Sequence, residues 1–150
     1  FGVEFHAGEK PWGRVKADVY MPCATQNEIG LEDAKRMIEE GTSKLLIEVA
    51  NMPTKAEAVE ELQKAGFMIA PSKAVNAGGV AVSALEMSQN AMKLSWTEEV
   101  DEKLKKIMKN IFNNIDSAAK KYGMDGNLIA GANIAGFLKV AEAMLNEGIF

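Results

Sequence analysis

The sequence predicts an α/β fold: a small parallel sheet of about three strands, flanked by helices and followed by a carboxy-terminal helical segment. Three observations predict it. Apolar runs of strand length alternate with amphipathic stretches of helical length over the first half of the chain. The connections between them are short, and strand–helix–strand crossovers of this kind are right-handed and give parallel strands. The strand-like runs are continuously apolar rather than alternating, as in a sheet covered on both faces.

Each element has its own local reason. "KADVYMP" carries Val19, Tyr20 and Met21 up to a proline and reads as a short buried strand. "LEDAKRMIEEG" has Ala34, Met37 and Ile38 at helical spacing, with Gly41 as the stop. "KLLIEVA" is the next buried strand. In "TKAEAVEELQKAG", Thr54 and Glu57 have capping-box spacing, Val59 and Leu62 face inward, and Gly66 ends the helix. "FMIAP" is a third short strand, closed by Pro71. Beyond it the chain turns helical, with one helix expected over residues 76–94. A second lies in "TEEVDEKLKKIMKNIFNNIDSAAKKYG", where Val100, Leu104, Ile107, Ile111 and Ile115 form one stripe and Gly123 marks the end. The last is "GANIAGFLKVAEAMLNEG", whose Gly131, Ala132, Ala135 and Gly136 allow close packing against a neighbour.

Composition narrows the function classes. The chain has 150 residues, enough for one domain with a core, and 47% hydrophobic with 25% charged residues is the profile of a soluble globular protein. Net charge is −4 and the basic residues are scattered, with no aromatic platform, which argues against nucleic acid. No apolar run is expected to approach a membrane span, and no signal-peptide pattern is present. The chain begins at Phe1 rather than Met, so it is read as a piece of something longer. Cys23 is the only cysteine, which excludes an internal disulfide and fits a reducing cytoplasm. His6 is the only histidine and reads as a surface residue, leaving little for a metal cluster or a Ser–His–Asp triad.

In an open parallel sheet, ligands bind beyond the carboxyl ends of the strands. Here those ends run into "PCATQNE" with Thr25, Gln26 and Asn27, "ANMPT" with Asn51 and Thr54, and "APSKAVNAGG" with Ser72 and Asn76. The three loops should converge on one crevice. Their uncharged hydrogen-bonding groups suit a ligand with amides, hydroxyls and phosphates, such as a nucleotide. Taken singly, each loop reads more readily as turn and cap residues, and it is the succession of three on one edge that gives the ligand reading equal standing. Gly78 and Gly79 let backbone approach a ligand or a strand closely. The free N–H groups of the helix they open attract an anion. Ser83 lies four residues after Gly79, on the same face, where its hydroxyl can donate to a carboxylate. The same spacing fits a small residue chosen for tight packing. No G-x-G-x-x-G or G-x-x-x-x-G-K-[ST] is present, and "GANIAG" has the wrong spacing and no lysine. Lys73 beside the crevice reads as solvated. Glu48, inside an apolar strand, and Glu86, in the glycine-led helix, read as partnered structural carboxylates.

"KPWGRVKADVYMPCATQNE", "ANMPT", "APSKAVNAGGVAVSALEMSQNA" and "GANIAGFLKVAEAML" together resemble the carboxy-terminal part of the hexameric glutamate dehydrogenases, within the Glu/Leu/Phe/Val dehydrogenase superfamily. The resemblance runs in order from Lys10 to the end. It implies that residues 1–96 are the second half of a Rossmann-like NAD(P)-binding domain and that residues 97–150 are carboxy-terminal helices packing on it. It implies NAD or NADP as cofactor, and L-glutamate, 2-oxoglutarate and ammonia as substrate and products. The parent would be a cytoplasmic homo-hexamer binding neither nucleic acid nor membrane. The catalytic lysine and aspartate, and the glycine fingerprint, belong to the family's upstream part, so this chain would hold no catalytic residue and no metal ligand and would be inactive alone. Carried over by position, Ser83 matches the serine that contacts the side-chain carboxylate of glutamate, and Val80 a residue shaping that pocket. Asn51 matches an asparagine at the nicotinamide end of the cofactor, and Thr25, Gln26 and Asn76 line the same region. Val49 departs from the family's usual glycine, and a branched side chain there narrows the approach to the cofactor. The first strand would pair with the missing half, so its edge is expected to be exposed here and to promote self-association. The alternative function is a stand-alone nucleotide-binding or interaction module without catalysis.

Overall fold

Two of the three expected strands form. The computed structural model describes residues 2, 4–94 and 98–148. β1 (Leu45–Ile47) and β2 (Met68–Ala70) pair in parallel, with Leu46 opposite Ile69. The first expected strand shrinks to a single parallel bridge, Tyr20 to Leu46, on the opposite edge of β1. Tyr20 N–H donates to the Leu45 carbonyl at 3.0 Å, and Ile47 N–H donates to the Tyr20 carbonyl at 2.9 Å. The ladder stops there for a local reason. Pro22 has no N–H to continue it and only accepts, from Ala50 N–H at 2.9 Å. On the other side, the Asp18 carbonyl is taken by the Ser43 hydroxyl at 2.6 Å.

Two amphipathic helices cover this strip. α1 (Leu31–Glu40) buries Ala34 and Met37 and ends at Gly41, whose φ of 72° permits the left-handed turn. Its start is held by Asp33, which accepts from Gly30 N–H at 2.9 Å and pairs with Lys10 and Arg36. α2 (Ala56–Lys64) buries Ala58 and Leu62 and is followed by Gly66 at φ 83°. The expected Thr54–Glu57 capping box does not form. Lys55 is the N-cap, without a side-chain bond. Thr54 is instead extended and buried, in a parallel bridge to Ile29, with Lys55 N–H donating to the Ile29 carbonyl at 3.0 Å. A long-range backbone pairing has overridden a local cap. The first core gathers Trp12, Tyr20, Ile29, Met37, Leu46, Leu62, Phe67 and Ile69. Burying each large apolar side chain contributes roughly 1.5–3 kcal/mol.

After β2 a one-turn helix, α3 (Ser72–Val75), precedes the expected long one, α4 (Ala77–Met92), with Asn76 as the joint. α3 was not anticipated. α4 has no buried residue and ends at Lys93, φ 55°. α5 (Glu98–Lys121) and α6 (Leu128–Glu147) pack against each other, α4 leans on α5, and α6 reaches β2. Ile115 of the expected α5 stripe is buried, with Ala74 and Leu128, in a second core. The domain boundary expected between residues 96 and 97 lies outside the described residues. Gly131 is packed tightly against α5, as expected, but Gly136 has open space around it. One expectation is corrected: α6 is, by length and composition, long and apolar enough to cross a membrane. Part of its apolar content is the small-residue seam against α5, Gly131, Ala132 and Ala135, and Lys139 and Glu142 interrupt its length.

Candidate functional site

The three loops at the carboxyl ends of the strands are joined by a chain of hydrogen bonds. Asn27 N–H donates to the Met52 carbonyl at 2.9 Å, and Ile29 N–H to the Pro53 carbonyl at 2.9 Å. These tie the first loop to the second. Met52 N–H donates to the Ser72 hydroxyl at 3.4 Å, tying the second loop to the third. Ser72 N–H in turn donates to Glu48 Oε2 at 3.0 Å. Glu48 N–H donates to the Ala70 carbonyl at 3.0 Å, the last residue of β2. Glu48 and Ser72 are both buried.

Two residues on this rim have left-handed backbone without being glycine: Asn27 at φ 57° and Met52 at φ 43°. Asn tolerates this region, but Met gains nothing from it and holds it at a cost of order 1–3 kcal/mol. The two are bonded to each other, so the conformation is fixed from both loops at once.

The expected site residues fall into two groups. Thr25, Gln26 and Asn51 are exposed on the loops just described. Thr25 N–H donates to Glu28 Oε2 at 3.3 Å, which folds the first loop back on itself. Val49, beside Asn51, is half-buried. Val80 and Ser83 are exposed on α4, Val80 by 74%, three positions apart and so on one face. Asn76 stands between the groups. It is half-buried at the α3–α4 joint, its carbonyl accepts from Gly79 N–H at 3.3 Å, and its side chain does not cap α4.

The twin glycines divide their work differently from expectation. A side chain on Gly78 would sit 3.3 Å from Met108 Sδ and 3.5 Å from Leu104 Cδ1, so this glycine lets α4 approach α5 rather than a strand. Gly79 faces open space. Lys73 is exposed, and its Nζ donates to Asn133 Oδ1, linking α3 to α6. Glu48 is partnered as expected. Glu86 is not: it is exposed on α4, with no partner among the described residues. A hollow of about 320 Å³ between α3, α5 and α6 has Ile111, Ala132 and Ala135 in its wall, and none of the expected site residues line it. Sequence reasoning named Ser72 and Glu48 separately and missed their bond. The signal was one carboxylate in an otherwise apolar strand.

Parallel strands joined by crossover helices, with polar loops gathered at their carboxyl ends, define an α/β protein of the open-sheet, ligand-binding class. The sequence profile of the Glutamate/Leucine/Phenylalanine/Valine dehydrogenase family matches residues 1–148, and the chain belongs to this family. It is 56% identical to the NAD-specific glutamate dehydrogenase of Clostridium symbiosum, over 99% of this chain and 33% of that protein. It is 52% identical to the NADP-specific glutamate dehydrogenase of Giardia intestinalis, over 97% of this chain and 33% of that protein. A solved glutamate dehydrogenase structure superposes with a TM-score of 0.90 at 56% identity, covering 99% of this chain and 33% of that one. The chain therefore spans about a third of the length of the relatives it matches.

Proposed function

We propose that this chain forms one wall of the active site of an NAD(P)-dependent glutamate dehydrogenase. The reaction takes L-glutamate, oxidised nicotinamide cofactor and water to 2-oxoglutarate, ammonium, reduced cofactor and a proton. Residues 1–96 would be the second half of the cofactor-binding domain, and residues 97–150 the helices packed on it. The working enzyme would be a homo-hexamer in the cytoplasm, a reducing compartment that suits the exposed, free Cys23.

The observation that carries this reading is the run of bonds from Asn27 through Met52 to Ser72, which gathers three loops into one rim. The rim fits a dinucleotide: Thr25, Gln26 and Asn51 offer exposed, uncharged donors and acceptors beyond the carboxyl ends of parallel strands. A bound nicotinamide would supply the hydride acceptor for the oxidation at the α-carbon of glutamate. Asn51 would hold the nicotinamide end, with Thr25, Gln26 and Asn76 lining the region around it. The Ser83 hydroxyl would donate to the side-chain carboxylate of glutamate. Val80, one turn earlier on the same face, would supply the apolar wall that orients the substrate's methylenes. Proton transfer and the polarising of the substrate fall to groups outside this chain.

The test is Ser83→Ala in the full-length dehydrogenase. Loss of one hydrogen bond to a charged group costs about 1.5–3 kcal/mol, which corresponds to roughly a ten- to hundredfold rise in KM for glutamate. KM for the cofactor should move much less. An unchanged KM for glutamate would remove Ser83 from the site.

A further inference from the structure

We infer that Glu48 is a positioning residue that holds the cofactor-side loop and the substrate-side helix in one fixed relation; this rests on the reading of Asn51 and Ser83 just proposed. The geometry is specific. Glu48 stands at the exit of β1, three residues before Asn51, and is 6% exposed. Its Oε2 accepts from the main-chain N–H of Ser72, the first residue of α3, at 3.0 Å. The Ser72 hydroxyl accepts from Met52 N–H, the residue after Asn51, at 3.4 Å. A carboxylate before Asn51 and a main-chain N–H after it are thus both attached to one serine. That serine opens the helical segment that continues through Asn76 into α4 and its Val80 and Ser83.

A buried carboxylate loses its hydration and is retained only where it is hydrogen-bonded. Glu48 lies just past β1, whose own pairing does not use the carboxylate. The position of Glu48 makes sense as a brace: its bond crosses from one loop to another rather than serving its own strand. Met52 is held at φ 43° by the same arrangement, because its N–H and carbonyl are committed to Ser72 and Asn27. If the brace is cut, Asn51 and α4 lose their common reference, and both ligands should be affected together. Displacement of a reacting group by about 1 Å can cost on the order of a hundredfold in rate.

The experiment is steady-state kinetics on the full-length dehydrogenase carrying Glu48→Ala, Glu48→Gln, Ser72→Ala or Ser83→Ala. Glu48→Ala should raise KM for glutamate and KM for the cofactor together, each by about tenfold, since each ligand binds a misplaced wall. Glu48→Gln keeps an oxygen that can accept from Ser72 N–H, so it should return both to within about threefold of the parent. A Glu48→Ala variant that leaves either KM unchanged overturns the inference, and so does a failure of glutamine to rescue. If Glu48→Ala does not fold, Ser72→Ala decides. It removes only the hydroxyl that accepts from Met52, and should raise both KM values by about two- to fivefold, where no change overturns the brace. Ser83→Ala separates the two claims. An unchanged glutamate KM there refutes the functional reading, whereas a raised one beside an unaffected Glu48→Ala refutes the brace alone.

Discussion

Gly131 on α6 lies directly against the main-chain carbonyl of Ile115 on α5, so closely that a methyl group at Gly131 would overlap the oxygen. The obstacle is backbone rather than the end of a flexible side chain, so nothing nearby can give way cheaply. The same helix carries Gly136, with nothing near its missing side chain. The two glycines therefore predict opposite outcomes. Gly131→Ala should force α5 and α6 apart and destabilise by about 1–3 kcal/mol or more, as overpacking does. Gly136→Ala should stabilise by about 0.5–1 kcal/mol, because alanine is the better helix former in open space. Chemical denaturation of the two variants beside the parent checks this. Equal effects would show that the α5–α6 contact is not the one described.

Tyr20 is the second test, through pH. It is buried between Trp12 and Phe67, and its hydroxyl donates to Glu40 Oε2 at 3.0 Å. Burial, aided by the bond to Glu40, pushes its pKa from 10.0 up to about 12. The unfolded chain then releases this proton first as pH rises. The stabilisation is therefore fully present below about pH 10 and is lost on the way to about pH 12. Tyr20→Phe removes the titrating group and costs about 1 kcal/mol at neutral pH, where the hydroxyl bond is lost. Measured between about pH 9 and pH 11.5, the parent should lose more stability than the Phe variant. Parallel curves would refute the assignment.

How much of this was legible in the sequence follows from the range of each interaction. Gly41, Gly66 and Gly123 were read as helix stops, and all three have left-handed φ values of 72°, 83° and 74°. Those decisions are local. Thr54 obeyed a local pattern just as well, yet it stands opposite Ile29 in a parallel bridge whose bonds are made by its neighbours Pro53 and Lys55, and Ile29 lies on a different loop. The carboxyl-end loops could be placed by topology alone, because crossovers have a fixed hand. What fastens them could not: the hydroxyl that Met52 reaches belongs to Ser72, 20 residues on. Gly78 failed in the same way. Its neighbour is Met108 on a different helix, and spacing within α4 carries no word of it. Ser83 is the opposite case: its spacing from Gly79 and the family resemblance both point to a carboxylate ligand, and its exposed position on α4 neither requires nor forbids one.

Asn51 supplies a third prediction. Its side chain is exposed at the rim, while the backbone on either side is fastened: Ala50 N–H donates to the Pro22 carbonyl at 2.9 Å and Met52 N–H to Ser72. Asn51→Ala should therefore leave the loop in place and remove only the amide. In the full-length dehydrogenase, KM for the cofactor should rise by about three- to tenfold, the worth of one ordinary hydrogen bond. KM for glutamate should change less. A rise confined to glutamate would move Asn51 to the other ligand.

The exposed sheet edge gives the last prediction. Tyr20 turns its N–H and carbonyl toward β1, so the main-chain groups of Val19 and Met21 face away from the sheet. Both side chains are exposed, by 37% and 50%. Apart from the Met21 carbonyl, which accepts from the Cys23 thiol at 3.3 Å, the outward main-chain groups here have no backbone partner among the described residues, and such an edge is a template for another strand even with the exposed Asp18 next to it. The 150-residue chain alone should therefore self-associate, with a sedimentation coefficient that rises with concentration. Met21→Lys places a charge on the edge and should weaken the association by about tenfold or more, since a lysine on an edge strand opposes pairing. The competing surface is α6, where Phe137 is 66% and Leu145 is 86% exposed. Association that ignores Met21→Lys but is abolished by Leu145→Glu would assign the contact to the helix and sink the edge. A chain that stays monomeric near millimolar concentration would sink both.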